Sequence, residues 1–316
     1  MKTDSELILH EALNLWWLRP ENALAVASYI VNGVKLTPNP GEKAIEFACG
    51  DGVNTFFKCG GRFSKEFDLF KHGISKENTL TVATKSVDVF DHYDEDYMPI
   101  IITQPDVKYY MGTDHKESLI KKAEKLNFFD NVVVADLQED IDINDGTIDL
   151  IYCNSLYWIL DTKSVLEKMI KKLSNNGRII LDVFTTNKYR LDYSVIFPTL
   201  PSEWHNMMNR GRMETNPGLR SEKKWETLFD ITKLEIIDKR NIFPAAIAQL
   251  WNVGLRPIFP LLNKMSNCLT EENRKEIKEE WVYILTNLLL PFLESPEDIS
   301  SNKYLYRIQY VLKKKQ

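Results

Sequence analysis

The stretch from Ala44 to Phe57, AIEFACGDGVNTFF, constrains this chain more than any other. Ala44, Ile45, Phe47 and Ala48 suit a strand buried on both faces, and the run is too short for a helix before Gly50 and Gly52 break it. Glycines at those two places take positive φ and let a ligand approach the backbone. The helix that follows would point free N–H groups and a positive dipole end at that ligand. Strand, glycine turn and helix together predict the nucleotide-side loop of an α/β enzyme. The same turn also serves purely structural loops, so its weight depends on its flanks.

In a dinucleotide-binding fingerprint a third glycine closes G-x-G-x-x-G and the pyrophosphate rests on the helix N-terminus. Here that third position is Thr55, which speaks against a nicotinamide-dependent oxidoreductase. An acid, Glu46, stands inside the strand instead, four residues before Gly50. Glu46, Ala48, Cys49, Gly50, Asp51 and Gly52 resemble the first motif of class I S-adenosylmethionine-dependent methyltransferases, an acidic residue followed by closely spaced glycines. That cofactor has an amino acid group and a sulfonium cation in place of a pyrophosphate, so a nearby carboxylate is reasonable chemistry. The family's first glycine is Ala48 in this chain, which leaves the loop slightly tighter.

The resemblance implies an α/β fold: a Rossmann-like, seven-stranded methyltransferase sheet with flanking helices. It also assigns later positions. Asp114, after a strand over Val107 to Met111, is the acid expected to receive the ribose hydroxyls, with His115 beside it and a helix over Glu117 to Leu126. Asn131 to Ala135 reads as a buried strand ending at Asp136-Leu137, where the resemblance places the adenine. Asp149 to Cys153 is a fourth strand, with Asn154 and Ser155 at the head of the segment Asn154 to Trp158, where cofactor and substrate would meet. Lys163 to Leu173 reads as a helix ended by Gly177, and Arg178 to Phe184 as a fifth strand. The agreement of four such positions, in order and each at a strand end, gives the resemblance its weight.

Between the glycine loop and Asp114 the chain carries an insertion of about 45 residues, roughly 58 to 106. Loops this long have a function or a structure of their own, and this one is expected to shape the substrate side. Its cluster of His92, Tyr93, Asp94 and Asp96 offers imidazole and carboxylates for a base or a metal, against the alternative of a solvated surface loop. Residues 5 to 32 read as two helices joined at Arg19-Pro20, with Trp16-Trp17 as a lid or as core packing. After the fifth strand, Ser221 to Leu228 reads as a helix, Thr232 to Arg240 as a strand, Ala245 to Met265 and Thr270 to Leu293 as long helices, and Tyr304 to Leu312 as the last strand. Trp251, Leu255, Pro257, Phe259 and Pro260 would line an apolar pocket or pack as core. The expected organisation is therefore an N-terminal helical segment (1–35), a cofactor-binding core (36–185), and a remainder (186–316) with a helical substrate-side insertion.

The 316 residues suffice for a sizeable core, and a formal charge of −5 argues against a general nucleic-acid-binding surface. Cys49, Cys59, Cys153 and Cys268 form no C-x-x-C pair, so neither a zinc site nor a disulfide framework is indicated. The polar stretch from Met1 to Glu11 does not read as a signal peptide and no apolar run approaches a membrane span, so a cytoplasmic setting is expected. The implied reaction is transfer of the sulfonium methyl to O, N or C of a small-molecule acceptor, such as a sugar or natural-product intermediate in biosynthesis. His115, Tyr157, His92, Tyr93 and His205 are the candidates for a base, each with a structural alternative. Rival readings are a non-catalytic S-adenosylmethionine-binding partner or regulatory protein, transfer of another group such as aminopropyl, and the oxidoreductase.

Overall fold

A computed structural model of the protein describes residues 3–72, 89–209, 217–254, 258–299 and 303–315. The run Ala44–Phe47 forms β1, buried along its whole length. It is flanked by β4 (Tyr109–Asp114) and β6 (Ile148–Cys153), both parallel to it. Outside these lie β5 (Phe129–Val134) beside β4 and β7 (Leu173–Phe184) beside β6. Then β9 (Arg307–Lys314) runs antiparallel between β7 and β8 (Leu234–Asn241). The order β5-β4-β1-β6-β7-β9-β8 is the expected seven-stranded, Rossmann-like methyltransferase sheet. The chain leaves β1 for one side of the sheet and returns to the other at β6. Such a reversal opens a crevice at the carboxyl ends of the strands.

Two helices precede the sheet. Thr3 caps α1 (Asp4–Leu15) by accepting from the Glu6 N–H, and Pro20 opens α2 (Pro20–Asn32). The buried face of α1, Leu9, Ala12, Leu13 and Leu15, packs on the long helix Glu271–Glu294, so the two ends of the chain share one layer. Trp16 and Trp17 belong to the core: both are buried, and the indole N–H of Trp17 donates to Asp68 Oδ1 at 3.1 Å.

The described parts of the insertion are folded. They begin and end in a small antiparallel pair, β2 (Arg62–Phe63) and β3 (Ile101–Thr103), and bury Phe67, Phe70 and Tyr97. Asp68 forms a buried ion pair with Arg274 on the long C-terminal helix, at 2.7 Å. Residues 73–88 of the insertion, and Leu255 and Pro257 of the expected apolar pocket, lie outside the described residues.

Three local expectations are corrected. The Asn131–Ala135 strand is not buried: β5 is an edge strand with Asp130, Asn131 and Val134 exposed, because it has a neighbour on one side only. Gly177 does not end the preceding helix, which stops at Lys172; it lies within β7, where an added Cβ would come 2.8 Å from the Ile148 carbonyl oxygen. The segment Ala245–Met265 is two helices, Ala245–Val253 and Phe259–Asn267, with Pro260 in the first turn of the second.

Candidate functional site

The loop after β1 turns through three residues of positive φ: Ala48 (54°), Gly50 (60°) and Gly52 (73°). Gly52 is the N-cap of α3 (Val53–Lys58), and Asp51 Oδ1 accepts from the Val53 N–H at 3.1 Å. The two glycines do different work. A Cβ on Gly52 would strike Phe129 at 2.8 Å, whereas one on Gly50 would meet no atom of the described residues within 4 Å. The backbone at Gly50 therefore faces open space, as a loop that receives a ligand requires.

Parallel pairing of β1 with β4 sets Glu46 beside Gly112 and brings Asp114, the last residue of β4, to the loop. Asp114 Oδ2 accepts from the Gly50 N–H and Oδ1 from the Lys116 N–H, each at 3.0 Å. Each oxygen keeps a lone pair for a hydroxyl donor. His115 is exposed, its Nδ1 3.5 Å from Asp114 Oδ1. Asp136 and Leu137 follow β5, half-buried; Asp136 Oδ1 accepts from the Gln138 N–H at 2.8 Å and Leu137 packs against the core. Asn154 and Ser155 stand at the end of β6, with Ser155 Oγ donating to Asn154 Oδ1 at 2.8 Å. Glu46, Ala48–Gly52, Asp114, His115, Asn154 and Ser155 thus occupy one edge of the sheet, while Asp136 and Leu137 lie just beyond its end strand β5.

Glu46 takes a place beneath this loop. Its carboxyl is almost fully buried, Oε1 accepts from the Thr55 hydroxyl at 2.6 Å, and Oε2 has no partner among the described residues. Desolvation pushes it up to about 8, against the opposing pull of the Thr55 bond and the Lys58 charge. The same burial raises the Cys49 thiol, so this cysteine is not a thiolate.

The candidate bases are dispersed. His92 is exposed. Tyr93 is half-buried, with Lys121 Nζ 5.7 Å from its ring centroid. Beside them Lys116 Nζ grips both oxygens of Asp91 at 2.8 Å and Lys122 Nζ donates to the Phe90 carbonyl at 2.6 Å, so this part of the insertion docks on the Asp114 side. Among the described residues no three histidine, cysteine or acidic side chains are placed to hold a metal ion. His205 Nε2 lies 2.9 Å from the Phe197 carbonyl oxygen. Tyr157 is buried edge-on to Phe184, and desolvation raises its phenol. The four cysteines are unpaired.

A set of residues not singled out in the sequence lies on one face of the sheet. Register places Glu46 beside Tyr152, Asp182 opposite Gln309 and Phe184 opposite Arg307. Tyr152 OH donates to Asp182 Oδ2 at 2.7 Å, Gln309 Nε2 donates to Oδ1 at 2.8 Å, and Lys58 Nζ reaches Oδ2 at 3.4 Å and Tyr152 OH at 2.8 Å. Burial lowers Lys58 while Asp182 holds it up. The one available signal was the alternation of Arg307 and Gln309 with Ile308 and Tyr310 at the start of β9.

A family model described as Methyltransferase domain matches residues 99–181. The match takes in Asp114, Asp136 and Asn154–Trp158, and starts after the Glu46–Gly52 loop. Similar solved structures include a chain from the complex of the Haloferax volcanii Trm112 methyltransferase activator, at 9% identity and TM-score 0.47, covering 100% of each chain. Another is geranyl diphosphate C-methyltransferase from Streptomyces coelicolor A3(2), at 11% identity and TM-score 0.43, covering 94% of this chain and 80% of that one. A third is the YcgJ protein of Bacillus subtilis, at 11% identity and TM-score 0.42, covering 92% and 98%. No curated protein matches the chain. The matched segment runs from β3 into β7, across the parallel strands that carry Asp114 and Asn154.

Proposed function

We propose that the protein transfers a methyl group from S-adenosyl-L-methionine to an O, N or C atom of a small-molecule acceptor. The observation that supports this most is the junction of Asp114 with the glycine loop: a carboxylate at the end of β4 holds the Gly50 N–H while the loop backbone faces open space. The residues fit the cofactor. Asp114 would take the ribose hydroxyls, the Ala48–Gly52 backbone the amino acid end, and Asp136 with Leu137 the adenine. Asn154 and Ser155 would stand at the methyl. Glu46, hydrogen-bonded to Thr55, holds β1 to α3 beneath the loop.

The cofactor supplies an activated methyl on its sulfonium. The protein's task is then to align the acceptor and exclude water, with proton removal where the acceptor needs it. In this reading residues 36–185 are the cofactor-binding core, and residues 1–35 together with the helices of 186–316 cover the acceptor side. Among the described residues no helix is long and apolar enough to cross a membrane.

Dispersal of the five candidate bases favours two acceptable outcomes, an acceptor that needs no protein base or a binding protein without turnover. Isothermal titration with S-adenosylhomocysteine, with NAD as control, decides the cofactor class. Micromolar binding of the first alone supports the reading, and binding of NAD alone ends it. Methyl transfer from labelled cofactor to a small-molecule panel then separates an enzyme from a binding protein.

A further inference from the structure

Arg307 opens β9 opposite Phe184, at the edge where the parallel strands end. It is 8% exposed. Nη1 donates to Tyr29 OH at 3.0 Å and Nη2 to the Asn154 carbonyl at 3.3 Å, while Nε has no partner among the described residues. The guanidinium lies against aromatic rings, 4.6 Å from the centroid of Tyr29, 4.8 Å from Phe184 and 5.9 Å from Tyr157. Phe243 and Trp251 extend this wall beyond Phe184, at 5.9 and 6.1 Å between ring centroids.

Charge in this buried region does not balance. Asp182 is the acid whose field reaches Arg307, and both its oxygens are engaged, Oδ1 by Gln309 and Oδ2 by Tyr152 and Lys58. Two buried cations, Lys58 and Arg307, thus share one carboxylate, a third, Lys188, lies 4.7 Å from the Phe184 ring centroid, and Glu46 is raised to about 8. Among the described residues no carboxylate forms an ion pair with Arg307. A guanidinium taken from water without an anion is costly, and cation–π contacts recover only part of that cost. Its planar fork matches a carboxylate or phosphate with two parallel hydrogen bonds.

We propose that Arg307 is the receptor for an oxyanion on the methyl acceptor, a carboxylate or phosphate attached to an apolar, preferably aromatic body that packs against Tyr29, Tyr157 and Phe184. The proposal rests on the reading of this edge as the acceptor side, since the bond to the Asn154 carbonyl ties the guanidinium to the residue placed beside the methyl. Arg307 would thereby set both acceptor class and orientation.

The test is titration of the protein saturated with S-adenosylhomocysteine, using benzoate, phenyl phosphate and the neutral benzamide as probes. At least one anion is expected to bind about tenfold or more tighter than benzamide, and which one it is separates carboxylate from phosphate acceptors. Arg307→Met is expected to remove that preference and leave S-adenosylhomocysteine affinity within about twofold; Arg307→Lys, which keeps the charge, should retain part of it. Should the methionine variant fail to fold, the parent protein and the lysine variant decide. Equal affinity for all three probes in the parent, or a preference that survives in the methionine variant, overturns the proposal. Repeating the titrations without nucleotide keeps the two readings apart. Anion preference without S-adenosylhomocysteine binding would sink only the cofactor reading, and the reverse would sink only this one.

Discussion

Ala48 sits in the turn after β1 with φ of 54°, where a Cβ costs roughly 1–2 kcal/mol. Ala48→Gly is therefore expected to raise unfolding stability by about 1 kcal/mol, read from the urea midpoint at unchanged slope. No gain would mean that the loop tolerates the alanine without strain. Asp114→Ala should weaken S-adenosylhomocysteine binding by about 1–3 kcal/mol by calorimetry, since it removes both a hydroxyl acceptor and the tether on Gly50. Glu46 makes a pH prediction. Its carboxyl is raised from 4.5 to about 8 in the fold, so the folded state holds the proton more tightly than the unfolded chain. Its contribution to stability is complete below the unfolded value and is lost as pH rises through the folded one, with a slope of at most about 1.4 kcal/mol per pH unit. Glu46→Gln, which cannot ionise, should gain on the parent in melting temperature between about pH 5 and pH 9. A constant difference across that range would show that Glu46 ionises normally. The glycine loop and the acids near it were legible because backbone conformation and local charge are written in adjacent residues. The burial of Glu46 was not, since it depends on Thr55 and Lys58 closing over it from α3.

At the scale of elements, the parallel strands and their order followed from short apolar runs alternating with helical segments. Boundaries went wrong where a neighbour mattered. β5 reads as apolar but has a single partner, and β7 begins at Leu173 because pairing with Ile148 takes over directly from the helix. The insertion is the larger lesson. Its sequence looks like a charged loop, but Phe67, Phe70 and Tyr97 are core residues and Asp68 bridges Trp17 and Arg274. Asp68→Ala would leave the Arg274 charge buried, and is expected to cost about 3–5 kcal/mol of stability in chemical denaturation. A loss below about 1 kcal/mol would mean the pair behaves like a solvated surface bridge. The insertion is thus part of the fold, joined to both ends of the chain.

For the whole molecule, ligand and fold are linked. If the crevice binds S-adenosylhomocysteine only in the native state, a concentration about 100 times Kd should stabilise the protein by about 2.7 kcal/mol, seen as a rise in melting temperature that NAD does not reproduce. An unchanged melting temperature at that concentration would mean that the ligand does not bind the native state in preference to the unfolded chain. Helices from residues 4–32 and 271–294 pack together over more than 200 positions of sequence, so loss of the C-terminal helix should uncover Trp17, against which Arg274 and Trp281 close.

The sequence by itself determined the strand-turn-helix unit, the alternation that makes a Rossmann-like sheet, and the positions of Glu46, Asp114 and Asn154. Each of these rests on local periodicity, glycine conformation or spacing along one segment. Only the tertiary structure decided which side chains share a buried face. The Lys58, Tyr152, Asp182, Gln309 and Arg307 group is drawn from four separated elements, α3, β6, β7 and β9, and the absence of a partner for Arg307 Nε among the described residues follows from where Asp182 is already bound. Burial and charge balance are properties of that convergence, and no single stretch of chain encodes them.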